Sequence, residues 1–426
     1  MERNRKKSNI FILSIFKKFN AVLFGFLATI FLHRLLTPEL KGRYEYVNNI
    51  VVIMTSVLNL GISLVLPNYI RKNNDWTLST FYVLSLCQFL IYTLISVIIG
   101  VLCKSVSIFL YGFAVACGVL SLQMLNSTII YNFTVTVVAN VLGVFTNAAI
   151  LAAALILGKR NITVVFIALI AKELICSLIC YASVFKQIKI KQVKFREWWH
   201  IVLIGFIPML TSLLSIVNYR MDILEMRWIG VSDYDIGIYS VGLSLSEYSL
   251  LFADIFREVL LNKTALNDDF EAINFSLKTC LLLMFIFYIV MIFFGRGIIK
   301  LIYGNDYVGA YEVVLVILLG TFSMMYFKLL SPIFIAHGKW CFYFFSLLGG
   351  VAINIVSNLI FIPLIGIYGA AITSFLSYMF TGLMFIMKYI KSFNLKLTSL
   401  FVLNRNDYKY FLKQFKKDKI NNDEQI

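Results

Sequence analysis

Twelve runs of apolar residues, each long enough to cross a bilayer as a helix, constrain this chain more than any other feature. They fall at 10–33, 46–70, 79–103, 106–130, 134–158, 162–185, 200–219, 236–260, 276–295, 310–334, 341–362 and 366–390. A helix rises 1.5 Å per residue, so about 20 mostly apolar residues cross the hydrocarbon core. Twelve such helices need about 240 residues, and a chain of 426 residues, 60% hydrophobic and 14% charged, supplies them. Soluble domains carry about 25% charged residues. The expectation is an all-α polytopic membrane protein with about 12 transmembrane helices in two six-helix bundles, not a soluble enzyme.

The formal charge of +16, from 38 Lys and Arg against 22 Asp and Glu, would suggest nucleic acid in a soluble protein. Sorting by side gives another meaning and removes that partner. With a cytoplasmic N-terminus and twelve crossings, 26 basic residues fall on the cytoplasmic side and 10 on the outer side, with Lys172 and Lys328 inside spans. That asymmetry is the positive-inside signal, and it puts both termini in the cytoplasm. The tryptophans Trp76, Trp198, Trp199, Trp228 and Trp340 all fall at span edges, where an amphipathic ring prefers to sit. The basic start followed by an apolar run has the outline of a signal peptide, but Lys17 and Lys18 interrupt the apolar stretch, so it reads as a retained first helix.

Hydrophilic stretches are short, which leaves no room for a catalytic domain. The expected organisation is an N-terminal lobe over 1–185, a basic cytoplasmic linker over 186–199, a C-terminal lobe over 200–390 and a basic cytoplasmic tail over 391–426. There is no phosphate-binding G-x-x-x-x-G-K-[ST] loop. The seven cysteines lack metal-ligand spacing, and no cofactor or metal is expected. Two short matches relate the halves: Gly42-x-Tyr44 to Gly237-x-Tyr239, and Asn147 to Gly158 with Asn358 to Gly369. Six crossings per half give both halves the same orientation, so the repeat is parallel. In the tail, Tyr408, Phe411, Leu412 and Phe415 recur at helical spacing among lysines, a pattern suited to anionic inner-leaflet lipids.

Charges within spans cost about 2.5–3.5 kcal/mol each on insertion scales, which makes each a candidate functional group. Lys17 and Lys18 lie two turns into the first span, and Arg220, Asp222 and Glu225 close the seventh. Glu247 lies near the middle of the eighth, with Asp254 and Arg257 further along it. A desolvated carboxylate there suits proton coupling, for which Glu247, Asp254 and Asp222 are the candidates. Lys172 and Glu173 are adjacent in the sixth span; side chains 100° apart are expected to face different neighbours. Lys328 precedes Pro332 in the tenth. The uncharged Asn59, Gln123, Asn126, Asn140, Asn147, Asn354 and Asn358 are suited either to sugar hydroxyls or to joining helices.

Several short motifs occur in an order that resembles the Wzx-type polysaccharide flippases of the multidrug/oligosaccharidyl-lipid/polysaccharide exporter superfamily. They are Leu36-x-Pro38 with Gly42-x-Tyr44; Asp222 with Gly230 and Gly237-Ile238-Tyr239; Leu301-Ile302-Tyr303-Gly304-x-x-Tyr307-x-x-Ala310; and Gly366-x-x-Gly369-Ala370-Ala371. The resemblance implies a MATE-like pair of bundles working by alternating access in the bacterial cytoplasmic membrane. It implies export of an undecaprenyl-diphosphate-linked glycan, with Lys17, Lys18, Arg220 and Arg257 as matching diphosphate-binding candidates. A proton or sodium gradient would drive it, and a polysaccharide polymerase and chain-length regulator are the implied protein partners. The competing expectations are a multidrug or cation antiporter of the same fold, and a membrane polysaccharide polymerase or acyltransferase. The first span has lysines and no carboxylate, and no outer loop is large enough to carry a catalytic centre, so the flippase expectation leads.

Overall fold

A computed structural model describes residues 23–71, 76–264 and 270–393. Lys17, Lys18 and the amphipathic pattern at 408–417 lie outside the described residues. The helices are α1 (Leu23–Leu35), α2 (Pro38–Leu58), α3 (Ile62–Arg71), α4 (Thr77–Leu102), α5 (Val106–Tyr131), α6 (Phe133–Ile156), α7 (Ile162–Val184) and α8 (Glu197–Ile229). They continue with α9 (Asp233–Glu247), α10 (Leu250–Thr264), α11 (Phe270–Ile302), α12 (Ala310–Ala336), α13 (Trp340–Ile365) and α14 (Ile367–Phe393). With α2 and α3 counted as one span and α9 and α10 as another, eleven spans among the described residues have the length and hydropathy to cross a membrane, and α1 is a shorter apolar helix. The chain is a multi-pass, all-helical membrane protein.

Its burial pattern is inverted relative to a soluble protein. Asn49, Asp222, Asn354, Asn358 and Thr373 are fully buried, while Leu94, Leu102, Phe293 and Leu301 are 60–77% exposed. Only a hydrocarbon surround makes both favourable at once, since buried polar groups join helices while apolar side chains face lipid. All five tryptophans lie at or within a few residues of helix ends.

Local chemistry sets many of these ends. Thr37 caps α2 by accepting from the Leu40 amide, with Pro38 in the first turn, where a missing N–H costs nothing. Ser105 and Asn132 cap α5 and α6 in the same way. Gly366, at φ 59°, separates α13 from α14. Three residues later in the motif, Gly369 packs against the Phe361 carbonyl. Gly158, by contrast, follows α6 at φ 68° with open space around it. The match of Asn147–Gly158 to Asn358–Gly369 is therefore not a structural equivalence, because one glycine is a helix stop and the other a close contact.

The chain divides into two compact units. One comprises the chain up to Arg227 with Ser232–Gly237 and Ile302–Asp306; the other comprises Trp228–Val231, Ile238–Leu301 and the chain from Tyr307 onward. The division follows the seventh span rather than the linker at 186–199, and glycines give the reason. Gly61 at the start of α3 and Gly205 in α8 are so close that a Cβ on either would strike the backbone of the other segment. The linker itself is fastened to α4, since the Lys189 and Lys194 amides donate to Ser79 Oγ (2.9 Å) and Thr80 Oγ1 (3.1 Å).

The other glycine match has a reciprocal structure. A Cβ on Gly42 of α2 would run into the Asp233 carbonyl at the start of α9, and a Cβ on Gly237 would run into the Pro38 carbonyl. Small residues let helix backbones approach this closely where dispersion and polar contacts drive packing. Gly42→Leu should therefore abolish the folded, monodisperse species in size-exclusion chromatography, whereas Gly25→Leu, with nothing within 4 Å of its Cβ, should retain it. Normal yield and melting of the Gly42 variant would show that the close crossing is dispensable.

Candidate functional site

In the first unit, the second span is broken between α2 and α3, where Leu60 and Gly61 take φ of 52° and 67°. A break within a membrane frees backbone carbonyls, which need new donors. Tyr92 Oη donates to Leu58 O at 3.0 Å, and Gln123 Nε2 donates to Asn59 O at 3.4 Å. Gln123 also reaches Gln88 Oε1 at 2.8 Å, and Gln88 in turn donates to Tyr92 Oη at 3.3 Å. Asn59 and Gln123 are thus helix-joining residues, one of the two roles their composition allowed.

Beside this break lies a cavity of about 550 Å³, lined from α2, α3, α5, α7 and α8. Its polar wall carries Asn48, Thr55, Asn126 and Ser212, whose side chains have no hydrogen-bond partner among the described residues. The charged groups on its wall, among the described residues, are Lys172 and Glu173. Adjacent on α7, they were expected to turn to different neighbours; instead they pair with each other at 2.9 Å. Both side chains are long enough to bend back toward one cavity, which offsets the 100° between their Cα–Cβ bonds. A second cavity of about 270 Å³, reaching Thr29 and Asn147, shares Tyr44, Leu169 and Lys172 with the first.

Other candidates lie elsewhere. The seventh span does not end at residue 219: α8 runs to Ile229 and carries Asp222 and Glu225 into the interior, 0% and 2% exposed. Its run of apolar residues stops early because an inward-facing surface is free to be polar. Arg220, half-buried, is near enough to Tyr44 of α2 to act on it electrostatically. Two residues missed by hydropathy, Lys41 and Glu45, form a buried ion pair four apart on α2. Pro38 after Thr37, with that spacing, was the available signal. Nearby, Arg43 and Arg227 both pair with Asp233, the former at 2.9 Å.

In the second unit the eighth span is also broken, between Glu247 and Leu250. The break interrupts the helical count, so Glu247 and Asp254 do not follow from one continuous face. Serines staple it: Ser249 Oγ donates to Thr321 Oγ1 at 3.0 Å and Ser246 Oγ to Val314 O at 3.2 Å. Glu247 ends α9 half-buried. Asp254 pairs with Lys328 at 2.8 Å, uniting two candidates that had been separate. Arg257 is exposed on α10. Asn358 joins α13 to α14 by donating to Asn354 Oδ1 at 3.2 Å and accepting from Thr373 Oγ1. Among the described residues no cluster of His, Cys, Asp or Glu is arranged to hold a metal.

No family model and no curated protein matches the sequence. The fold is similar to solved structures over most of the chain. One is an inward-facing multidrug resistance MATE family transporter of the MOP superfamily, at 12% identity and TM-score 0.68, covering 87% of this chain and 94% of that one. Another is the lipid II flippase MurJ in an inward closed conformation, at 18% identity and TM-score 0.68, covering 96% and 100%. A third is a mutant of the Vibrio cholerae MATE transporter VcmN, at 12% identity and TM-score 0.59, covering 92% and 98%. At these identities the likeness is one of fold.

The Asp254–Lys328 pair gives a direct test of structural coupling. Asp254→Asn and Lys328→Met should each lower the melting temperature of the purified protein, and the double variant should recover part of the loss. A coupling of about 1 kcal/mol is expected for a pair that is partly exposed. Strict additivity of the two losses would mean that the two residues do not depend on each other.

Proposed function

We propose that this chain is a flippase that carries an undecaprenyl-diphosphate-linked oligosaccharide from the cytoplasmic to the outer leaflet of a bacterial cytoplasmic membrane. The observation that carries the proposal is the charge-balanced cavity beside the helix break in the first unit, a mainly apolar space with amides, hydroxyls and one ion pair set into its wall. Irregular backbone within a membrane is tolerated where it lines a cavity, and paired interruptions in the two halves point to a transported ligand. The fold shared with both a lipid II flippase and multidrug transporters supports a transporter. Each carboxylate of the Lys41–Glu45 and Lys172–Glu173 pairs already has a lysine, which leaves neither as a free counter-ion for an organic cation, while amides and hydroxyls set into the mainly apolar wall offer hydrogen bonds to a glycan.

In this reading the chain works by alternating access, with both termini cytoplasmic and the tail on anionic lipid. Lys17, Lys18 and Arg220 are the diphosphate-binding candidates of the first unit, and Arg257, exposed, is the candidate of the second. Glu247 and Asp222 are the coupling carboxylates, Asp254 being held by Lys328. A polymerase and a chain-length regulator take the product.

Deleting the gene should leave lipid-linked glycan in the cytoplasmic leaflet and remove the surface polymer. Full-length polymer at the surface of a strain with no other flippase would overturn the proposal. In proteoliposomes, an imposed proton or sodium gradient should accelerate flipping, and Glu247→Gln should remove that acceleration. Equal rates with and without a gradient in the unaltered protein would eliminate the coupling.

A further inference from the structure

We infer that the Lys172–Glu173 pair makes the first-unit cavity selective for a sugar without net charge, excluding both acidic and amino sugars. The inference rests on the flippase reading and specifies the substrate class of that site.

Three observations combine. First, the pair lies on the wall of the 550 Å³ cavity with its side chains only 28% and 17% exposed, and its members bond to each other at 2.9 Å. Second, no other charged residue lines that cavity among the described residues. Third, the amides of Asn48 and Asn126 and the hydroxyls of Thr55 and Ser212 face it without partners among the described residues. An amide presents a donor and an acceptor side by side, the arrangement that matches vicinal hydroxyls and the N-acetyl group of a sugar.

The ion pair then works by exclusion. A sugar carboxylate that bonded Lys172 would displace Glu173 and leave a second carboxylate beside it in a poorly hydrated site. A sugar ammonium that bonded Glu173 would strand Lys172 in the same way. Breaking a sheltered pair by taking one partner is costly because the other charge is left uncompensated. An uncharged sugar has no such cost. It can accept from the remaining N–H groups of Lys172 and donate to the free lone pairs of Glu173 while the pair stays closed. Specificity here comes from what the site penalises as much as from what it attracts.

The test uses full-length protein in nanodiscs and four probes: a polyprenyl diphosphate without sugar, and the same lipid bearing a neutral N-acetylated disaccharide, a uronic-acid disaccharide or an amino-sugar disaccharide. Binding is read by thermal shift. Occupancy is read by protection of Leu122→Cys, an apolar position on the same wall, from maleimide after Cys87, Cys103 and Cys341 are replaced by serine. The neutral disaccharide should bind about tenfold or more tightly than either charged one and protect Leu122→Cys, while the sugar-free lipid should not protect it. Glu173→Gln should shift preference toward the uronic acid, and Lys172→Gln toward the amino sugar. The double Lys172→Gln, Glu173→Gln variant should keep binding the neutral probe and lose much of the discrimination. If sugar-bearing lipids bind equally whatever their charge, or stabilise the protein without protecting Leu122→Cys, the inference fails and the flippase reading survives. If none of the four lipids produces a shift, the flippase reading itself fails.

Discussion

A polypeptide inside hydrocarbon has no water to satisfy a backbone group that its helix leaves open. Every departure from regular helix in this molecule has to be answered by a nearby side chain. The answer is visible at both broken spans. At the first, Tyr92 and Gln123 donate to the carbonyls of Leu58 and Asn59, and Gln88 links the two donors. At the second, Ser246 and Ser249 tie the chain to Val314 and Thr321 of α12. Support at the first break is drawn from α4 and α5, and at the second from α12.

The motifs that carried the family resemblance have mostly structural work. Gly42 and Gly237 allow one crossing, Gly369 another, and Gly366 and Gly304 take positive φ at helix ends. Tyr303 and Tyr307 are buried, the former edge-on to His33 at 4.6 Å. Residues of this kind persist in a fold whatever it carries, because a backbone contact tolerates no Cβ. This accounts for a resemblance that tracks architecture over nearly the whole chain. Substrate chemistry must then be sought in residues outside the motifs, such as Asn48, Asn126, Lys172 and Glu173.

Hydropathy made the spans legible because lipid-facing surface must be continuous. It was least informative where a helix turns inward. The second span began at 46 in the sequence and at Pro38 in the structure, and the seventh ended at 219 rather than Ile229. In both cases the missing turns carry buried charges, Lys41 with Glu45 and Asp222 with Glu225. A scale that penalises charge reads an inward-facing polar stripe as an end of the membrane. Pairings across sequence, such as Asp254 with Lys328, were invisible for a different reason: nothing local to either residue encodes a partner 74 positions away. Of the polar residues lining the first-unit cavity, Asn59, Asn126, Lys172 and Glu173 stand out in the sequence, whereas Asn48, Thr55 and Ser212 carry no local signal that sets them apart.

The ion pairs also change what the net charge means for transport. Counting intramembrane charges suggests sites waiting for ligands of opposite sign, yet Lys41, Lys172 and Lys328 each hold a carboxylate already. A lysine so occupied offers an anion no free charge, only an exchange in which an existing bond is lost. Inside a membrane that exchange is expensive, because the displaced carboxylate has little water to turn to. A neutral group that hydrogen-bonds to the same lysine and carboxylate asks for no such exchange, because the pair stays closed while it binds.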